Sequence, residues 1–199
     1  MEYSDATLAL ITKGSNIIEG VPVGSQEWAN HLLAAKVVRA ASEDGQLLSP
    51  RTLHTILFSG FDIDERLNGH EAGEYRRIAV GIKNFQNTVV FPRHTEVPDM
   101  IEEWFAEADV EVDYEEAKRW HYHCWFEAIH PFPDGNGRVG RLLLWNMAMI
   151  QEGELEYIHE ENYDEYINRL ESWSKRNEFV TLMAPKREAR PFHTIGELN

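Results

Sequence analysis

Clustered positive charge is missing from this chain. Only 19 Lys and Arg stand against 34 Asp and Glu, for a formal net charge of −15. Surfaces that grip a nucleic-acid duplex are built from grouped Lys and Arg that displace counterions. No such group occurs, so nucleic acid is not an expected partner. Strong acidity also repels phosphate-rich partners at long range. Any nucleotide site must therefore be locally positive, and the few neighbouring arginines become informative.

Cysteine is nearly absent too. The single Cys124 excludes an intramolecular disulfide, which fits a reducing cytoplasm. Its neighbours Trp125 and Phe126 predict a buried small residue rather than a nucleophile. No apolar run approaches membrane-spanning length, and Met1 to Asp5 lacks the basic segment of a secretory signal. The expectation is a cytoplasmic chain with neither membrane anchor nor leader.

What is present suits one packed domain. The chain has 199 residues, 43% of them apolar, with six Trp and nine Phe. The pattern is mainly helical. Ser4 or Asp5 caps a first helix running to about Gly14, with Leu8, Ile11 and Thr12 on one face. Ser25-Gln26-Glu27-Trp28 opens a second, continued by Leu32, Leu33, Ala35, Lys36 and Val37. Ser49-Pro50 starts a third in cap-then-proline order, with Leu53, Ile56 and Leu57 inward. Further helices are predicted from Val97 through Phe105, Glu115 to Ile129, Arg138 to Ile150, and Asn162 to Phe179. Between them, Ile78-Ala79-Val80 and Thr88-Val89-Val90-Phe91 are β-branched and flank a polar stretch, which predicts a small hairpin. The tail from Pro185 carries no clear element.

The segment from His130 to Arg141 reads helix, tight loop, helix. Pro131 and Pro133 stop the first helix, while Gly135 and Gly137 permit positive φ and close backbone approach. The second helix begins near Gly137, so its free amides and positive dipole end face the loop, as at phosphate-binding sites. Arg138 and Arg141, three apart, share a helical face and add two permanent charges. Asp134 lies where a hard cation bridging phosphates would sit, and His130 accepts a proton near neutral pH. Each feature alone has a structural explanation. Two arginines opening an otherwise apolar helix, Leu142-Leu143-Leu144-Trp145, together call for an anionic partner.

These twelve residues, His130-Pro131-Phe132-Pro133-Asp134-Gly135-Asn136-Gly137-Arg138-Val139-Gly140-Arg141, resemble the Fic (filamentation induced by cAMP) signature at every fixed position. The resemblance extends to His123 and Phe126 before the loop, Leu142 to Asn146 after it, and Gly73-Glu74-Tyr75-Arg76 ahead of the hairpin. It implies the Fic fold, a helical bundle with a small β-hairpin flap. It also implies a protein adenylyltransferase that moves AMP from ATP onto a Ser, Thr or Tyr hydroxyl. His130 would be the base, Phe132 the loop anchor and Asp134 the ligand of Mg²⁺. Gly135, Asn136 and Gly137 would cradle phosphates, with Arg138 and Arg141 on the β and γ groups. Val80, Gly81, Ile82 and Lys83 would form the flap that docks the target, and Tyr166 would line the adenine pocket or belong to the core.

Ser15-Asn16-Ile17-Ile18-Glu19-Gly20 resembles the family's inhibitory motif and equally reads as a helix ending at Gly20. Relatives usually continue with Asn, where this chain has Val21. In the inhibitory role Ser15, Glu19 and Gly20 would restrain the enzyme, Glu19 competing with ATP for Arg141. The implied organisation is an inhibitory region 1–24, a Fic core 25–184 and a tail 185–199. Alternatives are AMP removal, transfer of UMP or phosphocholine, or a non-catalytic ATP-binding regulator. Intact Gly135-Asn136-Gly137 argues against the family's kinase branch. A homodimer through aromatics such as Trp28 is a further expectation.

Overall fold

The computed structural model describes residues 3–60, 67, 69–83, 88–110, 113–177 and 181–183. It is mainly α. The elements are α1 (Asp5–Ile18), α2 (Gln26–Glu43), α3 (Pro50–Leu57), β1 (Gly81–Lys83), β2 (Thr88–Val90), α4 (Val97–Asp109), α5 (Glu116–Ile129), α6 (Asn136–Ile150), a 3-10 turn (Glu160–Asn162), α7 (Tyr163–Arg176) and β3 (Thr181–Met183).

The first three helices begin where their caps predict. The hydroxyls of Ser4, Ser25 and Ser49 accept from the main-chain N–H of Thr7, Trp28 and Thr52, satisfying donors that the first turn leaves open. At the centre lies α6, packed against α1, α2, α3 and α5. Leu142, Leu143, Leu144 and Trp145 are fully buried, and each contributes roughly 2 to 3 kcal/mol of hydrophobic stabilisation. Leu8, Ile11, Ala34, Val38, Leu53, Leu57, Trp104, Phe126 and Phe132 belong to the same core, so α1 is part of the domain and not an appendage. A second cluster joins Trp120, Cys124, Leu144, Tyr166 and Trp173. There Cys124 is 3% exposed, and burial pushes its thiol up to about 12, the unreactive small residue expected.

Two expectations need correction. First, α1 does not stop at Gly14 but continues to Ile18. A side chain on Gly14 would meet Ile158 O at 2.7 Å and the Tyr157 ring at 2.9 Å, so this glycine serves close packing. On α2, which forms as its spacing predicts, Ala34, Ala35 and Val38 turn inward and Leu33 is left 53% exposed. Second, the first hairpin strand is Gly81–Lys83 rather than 78–80. Arg76 draws the carbonyl of Ile78 to its guanidinium, which keeps that main chain out of the ladder. The register pairs Gly81 with Val90, Ile82 with Val89 and Lys83 with Thr88. β3, unforeseen from sequence, pairs antiparallel with the other side of β2, giving the order β1-β2-β3. The polar turn 84–87, Phe179 and the tail 185–199 lie outside the described residues. Among the described residues no helix is long and apolar enough to cross a membrane.

Candidate active site

The α5–α6 loop is built by its own side chains. Asn136 accepts from Phe132 N and donates to Phe132 O, both at 2.8 Å, closing the loop on itself. Phe132 is fully buried and stacks on His54, with ring centroids 4.0 Å apart and planes 18° apart. Gly135 caps α6 at φ +77, and a side chain there would strike the Phe58 ring. No side chain caps the N-terminus of α6. Its first-turn donors and dipole are therefore open to an anion.

That place is held by Glu19. Its Oε1 lies against Gly137, where a side chain would overlap it, and accepts from Arg141 Nη2 at 2.5 Å. Arg141 Nε also donates to Ser15 Oγ at 2.7 Å. Burial raises the Glu19 pKa, but the Arg141 and Arg138 cations outweigh it and hold the carboxyl below its ordinary value. Gly20 explains how Glu19 is delivered. At φ +67 it ends α1, with Gly20 N donating to Ile17 O and Val21 N to Asn16 O. This is a Schellman closure, in which a buried apolar residue such as Val21 completes the motif. Helix stop and carboxylate delivery are one device.

His130 ends α5 in the left-handed region at φ +51 and stacks on Phe91 at 4.0 Å. Burial, then the Arg76 cation, pull its imidazole down to about 3, against the Glu127 carbonyl and Glu19. Asp134 keeps 26% side-chain exposure, accepts from Gly135 N at 2.6 Å and lies 3.7 Å from Arg138. Among the described residues no three His, Cys, Asp or Glu converge as metal ligands. One carboxylate facing an anion seat suits Mg²⁺, which takes its remaining oxygens from nucleotide and water.

Residues 50–148 match the model of the Fic/DOC family. The chain belongs to that family. A stretch of 49 residues is 51% identical to a probable protein adenylyltransferase of Aquifex aeolicus (strain VF5), covering 25% of this chain and 15% of that one. The crystal structure of a Fic domain containing signaling protein from Bacteroides thetaiotaomicron covers 84% of this chain and 71% of its own, with TM-score 0.68 and 20% identity. Fic-1 from C. elegans covers 84% and 55%, with TM-score 0.59 and 18% identity. The two structures establish the Fic fold.

The fold brings most of the expected site residues together. Ser15, Glu19, Asp134, Gly135, Asn136, Gly137, Arg138 and Arg141 meet around the start of α6, with His130 at the opposite, first end of the loop. Gly81, Ile82 and Lys83 form β1, with Val80 just before it. Tyr166 is 5% exposed, its hydroxyl bonds His123 Nε2 at 3.0 Å, and the Arg141 guanidinium lies 5.9 Å from its ring centroid. Asn136 faces the loop backbone rather than the anion seat. Sequence reasoning missed three supports. Glu27 forms a buried pair with Arg138. Arg76 grips the His130 carbonyl at 2.8 Å. His54 accepts from Gly73 N at 2.7 Å and bonds Asp134 O at 3.2 Å, and burial brings it down to about 3. Helical periodicity does give a signal for Glu27, a charged residue on an inward face; His54 gives none beside Leu53.

Proposed function

We propose that this Fic protein transfers AMP from ATP to a Ser, Thr or Tyr hydroxyl of a protein, and that Glu19 restrains it. The observation that carries this reading is the Glu19 carboxylate seated on Gly137 and Arg141, a stand-in for phosphate oxygen at an uncapped helix end. The relative from Aquifex aeolicus, a probable protein adenylyltransferase, supports the reaction class.

With Glu19 withdrawn, the first turn of α6 and Arg141 receive the polyphosphate. Asp134 would hold Mg²⁺, which neutralises phosphate charge when bound. The unprotonated imidazole of His130 takes the proton from the target hydroxyl. The hydroxyl oxygen bonds the α-phosphorus as the bond to the β-phosphate bridging oxygen breaks, and pyrophosphate leaves. Negative phosphates next to His130 raise the basicity that burial had lowered. Because β2 is flanked by β1 and β3, a target segment adds as a strand along the β1 edge. Trp28, half-buried on α2, remains available to a second copy of the chain.

Intact-mass measurement after incubation with ATP and Mg²⁺ tests the reading. Glu19→Gly is expected to gain an AMP adduct on the order of ten- to a hundredfold faster than wild type, the worth of a charged hydrogen bond. Adding His130→Ala is expected to abolish it. Equal labelling with and without His130, or no adduct in Glu19→Gly, would refute the assignment.

A further inference from the structure

Arg76 is 2% exposed and its guanidinium is ringed by carbonyls. Nε donates to His130 O at 2.8 Å, Nη1 to Ile78 O at 3.1 Å, and Nη2 to Pro92 O at 2.6 Å and Ile129 O at 3.4 Å. Its main-chain N–H donates to Pro131 O at 2.9 Å. Ile78 and Pro92 are the two roots of the hairpin, while Ile129, His130 and Pro131 form the turn from α5 into the loop. One side chain thus joins the hairpin to the turn that carries the base.

Bracing alone is a poor explanation for a cation here. Among the described residues the guanidinium pairs with no carboxylate, and burial lowers its pKa to about 10. A buried charge without a counter-charge is costly, and the carbonyl dipoles that accept from it offset that cost only in part. Its neighbour gives the charge a purpose. His130 sits at φ +51, a conformation that non-glycine residues rarely adopt, and its carbonyl is anchored by Arg76 Nε.

We propose that Arg76 is a positioning residue of the hydroxyl-activating site: it anchors the left-handed His130 backbone, presents a fixed positive charge to the ring, and ties both to the target-docking hairpin. This rests on the reading of His130 as the base. The groups facing the ring act in both directions, with the lowering influences prevailing. Burial and Arg76 disfavour the imidazolium, while the Glu127 carbonyl on α5 and the Glu19 carboxylate beyond α1 favour it. Phe91 covers one face of the ring and carries no charge.

The test separates charge from bracing. The His130 ring signals, assigned by their loss in His130→Ala, are followed by NMR from about pH 8 to about pH 2, which spans the lowered midpoint. The chains compared are wild type, Arg76→Lys and Arg76→Gln. The pH profile of AMP transfer is measured in the same variants carrying Glu19→Gly. Arg76→Gln is expected to move the His130 midpoint upward, and the acidic limb of the rate profile with it. Arg76→Lys keeps the charge but not the fork of contacts. It should leave the midpoint low and lower kcat by on the order of tenfold or more, with KM for ATP little changed.

An unmoved midpoint in Arg76→Gln, with only a lower melting temperature, overturns the proposal. So does Arg76→Lys matching wild type in kcat. If Arg76→Gln does not fold, Arg76→Lys decides. If Glu19→Gly transfers nothing, the transfer reading falls, and the NMR titration still decides what Arg76 does to the ring.

Discussion

Arg138 meets Glu27 across the interface of α2 and α6, with 1% and 2% of the two side chains left to solvent. Three residues on, Arg141 meets Glu19, whose side chain keeps 32% exposure. The chemistry is the same and the consequence is not. Glu27 lies in the first turn of a packed helix, whereas Glu19 is the cap residue at a helix end. One pair is sealed inside a helix interface, and the other sits at a helix end partly open to solvent.

Glu27→Gln is therefore expected to lower unfolding stability by about 3 to 5 kcal/mol, because it strands a buried guanidinium. It should not release AMP transfer. Glu19→Gly should do the opposite, with a small stability change and a large release. Denaturant titration alongside intact-mass labelling reads both. Release of transfer by Glu27→Gln would make Glu27 a second brake and defeat the distinction.

Gly137 is open to a sharper test. A methyl group there overlaps Glu19 Oε1 and lies 3.0 Å from Arg141 Nη1. Gly137→Ala should displace the Glu19 carboxylate and still fail to restore transfer, since the methyl occupies the same seat. Calorimetric titration with ATP is expected to show weaker binding than in Glu19→Gly. Binding as tight as in Glu19→Gly would place the phosphates elsewhere.

Glu127 provides a pH-dependent signature. Its Oε1 is buried without a hydrogen-bond partner among the described residues. Burial raises its pKa to about 8, Arg141 opposing and Glu19 adding to the rise. The folded state thus binds a proton that the unfolded chain releases near the ordinary carboxyl value of 4.5. Stability from this group is fully present below that value and lost as pH rises to about 8. Melting temperatures measured across that window should converge on, then fall below, those of Glu127→Gln. Parallel curves for the two proteins would show that the carboxyl ionises freely.

Much of this was legible in sequence, for local reasons. Serine caps, proline breaks and the glycines of the loop act within a few residues, so Ser25, Ser49, Pro131 and Gly135 announce their roles directly. The hairpin was legible in kind and not in register, because the carbonyl of Ile78 is claimed by Arg76 through a side-chain contact that no periodicity shows. The contact of Tyr166 with His123 joins α7 to α5 and has no signature in either helix alone.

By itself the sequence determined the loop and its two arginines, since composition and spacing over twelve residues define an anion seat, while Glu19 was marked only by resemblance to a family motif. Only the tertiary structure decided how each charge is used. Glu27, Glu19 and Arg76 are unremarkable acids and bases in the chain. Burial and local setting place Glu27 inside a packed helix, Glu19 at a helix end, and Arg76, with no carboxylate partner among the described residues, beside His130.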